Sequence, residues 1–279
     1  MDARMYINTS GYKFIELDDL DALKVYFKAL AIKHEVYGTV YVSHEGVNIA
    51  QAGKPENIVR YKAELAKNSR FNDIFFKDST SEILPFHKVV VKIKPEVIAL
   101  NAENANPSDV SDTHLEPEAL KQWLDEKRKV VFLDTRNRYE YNLGSFDNAI
   151  NPEIETFKQF PDFVDTLPES YKDETIVMFC TGGVRCEKAA PLMKNKGFKN
   201  VYQINGGILN YFEKCGGAHW HGDCFIFDDR VAVNAELQET GATLCRGCHN
   251  AVTIEMQQSP DFKPPKQCPY CVSKVAQAL

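Results

Sequence analysis

Val177-Met178-Phe179-Cys180-Thr181-Gly182-Gly183-Val184-Arg185-Cys186-Glu187-Lys188-Ala189 decides how the rest of this chain is read. It opens as an apolar strand and runs into a glycine-containing loop that begins at Cys180 and ends at Arg185. Residues 187–196 favour helix, and Gly197 makes a natural stop. A strand–loop–helix of this kind aims loop amides and the positive end of a helix at whatever Cys180 carries. Together with Arg185 they favour an anion at the sulfur. A thiol of ordinary pKa, about 8.5, then ionises more readily, and the thiolate is the nucleophile. A buried structural cysteine beside a tight turn is the plainer account, but two glycines and a terminal arginine exceed what a buried thiol needs.

The chain has 279 residues, enough for two or three domains with buried cores. Hydrophobic residues at 44% and charged residues at 26% are ordinary for a globular protein. No apolar run approaches the roughly 18 residues of a membrane span, and the first residues lack a signal-peptide pattern. Four single cysteines and two Cys-x-x-Cys pairs do not resemble a secreted disulfide framework, so a reducing cytoplasm is the expected setting. The net charge of −6 is spread evenly, −2 in each of residues 1–114, 115–215 and 216–279. A generic nucleic-acid binder would carry a basic footprint; here an RNA partner must be met by a local patch.

Residues 1–98 read as a small α+β domain. Strands are expected within 6–14, at 39–43, at 47–50 and at 88–93, with helices at 18–30 and 55–67. That βαββαβ order predicts a ferredoxin-like or acylphosphatase-like sandwich closed by the strand at 88–93. Lys88, Lys92 and Lys94 share one face of that strand: a solvated face, or a phosphate-backbone track if Arg60, Lys62, Lys67 and Arg70 lie nearby. His44 and Glu45 fit a polar turn or acid–base chemistry, and His87 has no nameable partner. Residues 99–115 are polar and form the expected linker, with His114 at the surface.

Residues 116–215 alternate strands and helices, which argues for a parallel α/β sheet. Reactive groups in such sheets gather at the carboxyl ends of strands, where both Asp134 and Cys180 fall. Asp134, Arg136 and Glu140 are either catalytic or a buried ion-pair set bracing the loops. Cys186 either resolves a persulfide or disulfide with Cys180, or is a small buried residue on the first helical turn. Cys215 and Cys224 have no spacing that commits them.

Residues 216–279 carry the metal signal. Cys245-Arg246-Gly247-Cys248 and Cys268-Pro269-Tyr270-Cys271 can each place two thiolates on a tight knuckle, and four thiolates suit tetrahedral, structural zinc. An iron–sulfur cluster or a redox dithiol pair is the alternative. His221-Gly222-Asp223 invites comparison with a two-histidine, one-carboxylate iron site. The second histidine would have to be His249, beside a zinc cysteine, or His219 two residues upstream.

The loop from Cys180 to Arg185, six residues long, resembles the active-site loop of rhodanese-type sulfurtransferases, whose cysteine carries a persulfide. Phosphatases of the same fold use a loop one residue longer, so sulfur is the favoured load. Leu133-Asp134-Thr135-Arg136 with Glu140 fits the rhodanese pattern too. With all three regions read, the chain resembles the TrhO family (UPF0176), bacterial rhodanese-domain proteins that hydroxylate uridine at the tRNA wobble position. The matching stretches run from Gly38-Thr39-Val40 through Glu45-Gly46-Val47-Asn48, Pro85-Phe86 and the Cys180 loop to Tyr202-Gln203-Ile204-Asn205-Gly206-Gly207. They continue with Trp220, Gly222-Asp223-Cys224-Phe225, Asp228-Asp229-Arg230 and both Cys-x-x-Cys pairs. Asn48-Ile49-Ala50 departs from the Asn-Gly-Thr usual there.

The resemblance implies oxygen-dependent 5-hydroxylation of a base in the tRNA anticodon loop. Cys180 would be the catalytic cysteine, plausibly a persulfide, cradled by Thr181, Gly182, Gly183, Val184 and Arg185, with Asp134, Arg136 and Cys186 in support. Dioxygen would be a co-substrate and zinc structural; the residues name no oxygen-activating cofactor. Two other functions remain open: a sulfurtransferase passing sulfane sulfur from Cys180 to a thiol or RNA acceptor, and a non-catalytic RNA-binding module.

Overall fold

Period-two alternation builds the first layer. The strands are β1 (Tyr6–Phe14), β2 (Tyr37–Ser43), β3 (Gly46–Gly53), β4 (Lys77–Ser81) and β5 (Val89–Ile93), with helices α1 (Leu20–Lys33) and α2 (Pro55–Leu65). This computed structural model describes residues 5–103, 105–109 and 112–277; positions 104, 110 and 111 of the expected linker lie outside the described residues. Val40, Val42, Val47, Ile49 and Val91 point to one face, where they pack on Leu23, Phe27 and Leu30 of α1 and on Ile58, Tyr61 and Leu65 of α2. The other face shows Asn8, Ser10, Tyr12, Thr39, Tyr41 and Asn48, and it turns toward the Cys180 loop.

The sheet order is β4-β1-β3-β2-β5. The expected closing strand is therefore corrected. The strand beside β1 is β4, while β5 is added at the far edge, parallel to β2. β4 reads Lys-Asp-Ser-Thr-Ser and has no apolar alternation to reveal it. The two basic sets also fail to form one track. Lys92 projects from the face opposite Val91, whereas α2, which carries Arg60 and Lys62, packs on the Val91 face. Lys62 pairs with Asp78 and Arg70 with Asp19.

The second layer is a parallel sheet in the order β6-β10-β9-β7, formed by β6 (His114–Leu115), β7 (Val131–Asp134), β9 (Thr175–Phe179) and β10 (Asn200–Ile204). Around it lie α3 (Pro117–Asp125), α4 (Arg138–Tyr141), β8 (Gly144–Phe146), α5 (Phe160–Asp165), α6 (Val184–Asn195) and α7 (Gly207–Cys215). Helix α6 begins three residues before its expected start, because Gly183 at φ +96° turns the chain directly into it. The expected linker does not hang free: Leu100 and Ala105 are buried in the core of this layer, and β6 joins its sheet.

The C-terminal region is fastened to the second layer. β11 (Trp220–Gly222) pairs antiparallel with β8, and β12 (Cys224–Phe225) pairs with β13 (Ala232–Val233). β14 (Thr243–Leu244), β15 (Ala251–Val252), α8 (Ile254–Gln257) and α9 (Pro269–Gln277) complete it. Trp220 meets the rings of Phe146, Phe179 and Phe212 edge-on, a geometry that adds to burial. No described helix is long and apolar enough to cross a membrane.

Phe146 is 1% exposed and touches Phe132, Phe179, Tyr211 and Trp220, so it joins the second layer to the C-terminal region. Phe146→Ala is expected to cost about 3–5 kcal/mol. Urea unfolding should show this as a lower midpoint at unchanged slope.

Candidate active site

Cys180 stands at the carboxyl end of β9, 1% exposed, with its sulfur 3.1 Å from the donating amide of Gly183. The loop amides can turn inward because its carbonyls are held outward. Ile208 N donates to the Cys180 carbonyl at 2.9 Å and Leu209 N to that of Thr181 at 3.1 Å. Lys77 Nζ donates to the Gly182 carbonyl at 2.9 Å. Gly207 allows α7 to come this close: at φ +71°, a Cβ there would lie 2.5 Å from the Cys180 carbonyl and 2.6 Å from Gly183 N.

Burial alone would raise the Cys180 thiol. The hydrogen bond from Cys186, the charge of Arg185 and the amides of Arg185 and Cys186 outweigh it, bringing the thiol down to about 5. Cys186 goes the other way: burial and the neighbouring Cys180 push its thiol well above the ordinary value. The coupling between the two sulfurs favours the thiolate at Cys180 over one at Cys186. Cys186 is fully buried on the first turn of α6, and Thr135 Oγ1 lies 3.5 Å from its sulfur. Cys224 is also buried, and burial pushes its thiol up to about 12.

Arg185 does not reach the sulfur with its guanidinium. That group makes two 2.7 Å hydrogen bonds to Glu140, both side chains being nearly or fully buried. Asp134 and Arg136 form a second ion pair at 2.6 Å with no exposure, and Arg136 Nη2 also donates to the Gly144 carbonyl. Ser145 Oγ donates to Asp134, and the Arg136 guanidinium lies 5.3 Å from the Trp220 ring. Of the two readings of Asp134, Arg136 and Glu140, the geometry is that of bracing. Thr181 Oγ1 donates to the Phe225 carbonyl at 3.3 Å, tying the loop to the C-terminal region.

The N-terminal sheet supplies what the sequence did not single out. Lys77 comes from β4 and its side chain is buried beneath the loop. Its ammonium lies 4.8 Å from the Tyr12 ring centroid and 5.4 Å from that of Phe75. Burial brings it down to about 8, against the favourable charges of Cys180 and Glu187. Tyr12 OH donates to Glu187 at 2.8 Å, and Glu187 also accepts from Gln203. His114 Nε2, half-exposed at the expected linker, lies 3.0 Å from the same carboxylate. Burial opposes ionisation of Glu187, but these partners hold its carboxyl below the usual range. Lys188 of α6 pairs with Glu45 and Glu96, so Glu45 serves as a clamp, while His44 Nδ1 lies 2.8 Å from the Leu17 carbonyl. His87 does have a partner, Asp229, at 3.1 Å.

A cavity of about 660 Å³ opens above Cys180, within the usual size for small-molecule sites. Its walls come from all three regions: Ser10, Thr39, Tyr41 and Asn48 of the N-terminal sheet, the loop itself, and Ile226, Phe227 and Arg230 beyond it. Arg230 pairs with Asp228 at 2.6 Å and donates to Ser79 of β4 at 2.9 Å, which closes the ring of regions.

None of the residues of the second candidate site lines this cavity. The sulfurs of Cys245, Cys248, Cys268 and Cys271 all lie within 4.8 Å of one another. The Cys245–Cys271, Cys248–Cys268 and Cys268–Cys271 sulfurs are 3.7, 3.5 and 3.8 Å apart. Vertices of a tetrahedron with metal–sulfur bonds of about 2.3 Å are about 3.8 Å apart, so the cage fits a metal ion such as zinc. Asn250 Nδ2 donates to Cys248 Sγ at 3.3 Å, a contact that helps orient the ligand. His221 and Asp223 take no part: His221 lies 3.4 Å from Asp147, and His219 pairs with Asp125.

A thiolate at the carboxyl end of a parallel strand, ringed by the amides of a six-residue loop, defines the rhodanese class of site. Residues 116–214 match the rhodanese-like domain, and residues 6–97 match the UPF0176 acylphosphatase-like domain. The chain is 41% identical over 277 residues to the tRNA uridine(34) hydroxylase of Cupriavidus pinatubonensis, covering 98% of both chains. It is 42% identical over 271 residues to that of Cupriavidus taiwanensis, covering 95% of this chain and 96% of the relative. Identity to the Ralstonia nicotianae protein of the same name is 41%, covering 98% of both. The chain belongs to the tRNA uridine(34) hydroxylase family.

Alkylation of Cys180 by iodoacetamide, followed by peptide mass spectrometry, should rise through about pH 5 and level off by neutral pH. An ordinary thiol, near about 8.5, would still be climbing there. A midpoint at or above that ordinary value would mean that the cradle does not stabilise the thiolate.

Proposed function

We propose that the protein hydroxylates C5 of the wobble uridine of tRNA, with Cys180 as the catalytic cysteine and the anticodon loop as the segment entering the cavity. The observation that carries this reading is the cavity of about 660 Å³, where one ionisable sulfur faces polar and aromatic side chains from two other regions. Relatives that share nearly the full length and are named tRNA uridine(34) hydroxylase support it. An anticodon loop offers a base already free of a partner strand, so the cost of unstacking is small.

Dioxygen is the oxygen source in this reading. One of its atoms becomes the hydroxyl at C5 and the other leaves as water, a balance that consumes two electrons and two protons from a reductant. Cys180 acts as thiolate or persulfide, and Thr181 to Arg185 hold the charge. Asp134, Arg136 and Cys186 keep that loop in place and the proton off Cys180. Zinc in the four-cysteine cage is structural, because four thiolates leave no coordination position for substrate. A tRNA substrate and unpaired cysteines support a reducing cytoplasm as its setting in this reading.

The six-residue loop favours one competing reading, a sulfurtransferase that passes sulfane sulfur from Cys180 to RNA. The test incubates the protein with tRNA lacking wobble modification, with a thiol reductant and thiosulfate as a sulfane-sulfur donor, in oxygen-18 gas and in its absence. Oxygen addition and oxygen-to-sulfur exchange share a nominal mass, so the isotope separates them. Labelled hydroxyuridine that disappears with Cys180→Ser, a loss of at least about a hundredfold, is expected. Thiouridine formed without oxygen would make the sulfurtransferase the function instead.

Metal analysis should return about one zinc per chain. Cys268→Ser should lose that zinc and lower the thermal midpoint. Full occupancy in that variant would rule out the four-cysteine cage.

A further inference from the structure

We propose that the cavity face of the N-terminal sheet is a base-reading subsite in which Asn48 pairs with the imide edge of the target uracil. This rests on the hydroxylase reading and goes beyond it by naming what selects the base. Among the polar side chains of the sheet that line the cavity, Ser10, Thr39 and Asn48 have no side-chain hydrogen-bond partner among the described residues. Asn48 is half-buried, between Val47 and Ile49, which point the other way into the core at 0% exposure. A polar group turned into a cavity without a protein partner is a group available to a ligand.

Its neighbours fit a planar ring. Asn48 is in register with Tyr12 on one side and Tyr41 on the other, and side chains so paired have Cβ atoms about 5 Å apart. Tyr12 reaches the first turn of α6 through Glu187, so Asn48 lies one strand away from a residue that touches the Cys180 loop. Phe86 and Phe227 add aromatic surface to the same cavity, on which an unstacked base can lie.

The edge chemistry selects uracil. A carboxamide offers one acceptor and two donors; uracil offers the N3 hydrogen beside a carbonyl oxygen, a two-bond match. A flipped amide would match cytosine equally well, so a second group must break the tie. Lys77 does so. An ammonium only donates, and it repels the amino group that cytosine carries where uracil has a carbonyl. Its nitrogen lies 4.8 Å from the ring centroid of Tyr12, the register partner of Asn48, and one of its three hydrogens is engaged by the Gly182 carbonyl.

The test measures binding of the full-length protein to anticodon stem-loop RNAs that differ only in the first anticodon base, by fluorescence anisotropy. Uridine should bind about ten- to a hundredfold tighter than cytidine or N3-methyluridine, the methyl group removing the hydrogen that Asn48 Oδ1 accepts. Asn48→Ala should bring these ratios close to one while leaving the pH profile of Cys180 alkylation unchanged. Asn48→Asp, which presents acceptors only, still accepts from the N3 hydrogen but has no donor for the adjacent carbonyl, and should weaken uridine binding and lower the uridine preference. Equal binding of the three RNAs by the unaltered protein, or a preference that survives Asn48→Ala, would overturn the proposal. Hydroxylation is assayed on the same samples. Discrimination through Asn48 without any turnover would leave the subsite standing and remove the hydroxylase, whereas turnover and selectivity indifferent to Asn48 would do the reverse.

Discussion

A buried thiolate needs the protein to replace the water it has lost, and most of this structure is arranged around that need. An unpaired charge in a low-dielectric interior is costly, and a sulfur anion is solvated best by donors fixed in advance. The loop meets the requirement by orientation. Each carbonyl from Cys180 to Gly182 accepts a hydrogen bond from outside the loop, from Ile208 N, Leu209 N and Lys77 Nζ. Of the amides of the same peptides, that of Gly183 is left to bond the sulfur. The arginine that ends the loop is spent on Glu140, so fixed dipoles and a neighbouring thiol, more than a guanidinium contact, surround the sulfur.

One of those three anchors belongs to another region of the chain. Lys77 is an ammonium buried without a carboxylate bonded to it, an arrangement that persists only where negative charge is close. Cys180 and Glu187 supply that charge, and Lys77 in turn pins the loop that carries Cys180. The dependence is mutual, so the N-terminal sheet is part of the candidate active site. Tyr12 on Glu187 and Lys188 between Glu45 and Glu96 repeat the same fastening along α6. A rhodanese layer without these contacts would keep its sheet and lose the latch on its loop.

What the sequence reveals follows from how each piece is encoded. The Cys180 loop and the cysteine knuckles are local: a few adjacent residues carry both the geometry and the chemistry, so spacing suffices. The alternation at Val47 and Ile49 exposes its strand for the same reason. β4 is hidden because an edge strand that buries a lysine and a serine has no apolar period, and with it goes Lys77. The polar run at 99–115 reads as a linker because its buried apolar anchors, Leu100, Ala105 and Leu115 among the described residues, are too scattered to form a period. His114 and Glu187 meet across 73 residues, and Tyr12 and Glu187 across 175, separations that no local pattern can express.

The charges of the cavity also limit how an RNA can be held there. Of the three buried cations that line it, Arg185 is matched by Glu140 and Arg230 by Asp228, which leaves Lys77 as the one bonded to no carboxylate. Apart from the exposed Lys158, which also lines the cavity, a pocket so balanced attracts phosphate weakly, and on the proposed reading it suits a neutral base. Attraction for the backbone has to come from outside the pocket, where charge is exposed. Lys88, Lys92 and Lys94 are exposed at the free edge of the N-terminal sheet; Lys92 is in register with Tyr41 of the cavity wall, and Lys94 lies over the same ring. Long-range attraction and base selection are then carried by different residues on one continuous sheet face. Salt would weaken the first far more than the second, because screening acts on exposed charges and hardly on buried hydrogen bonds.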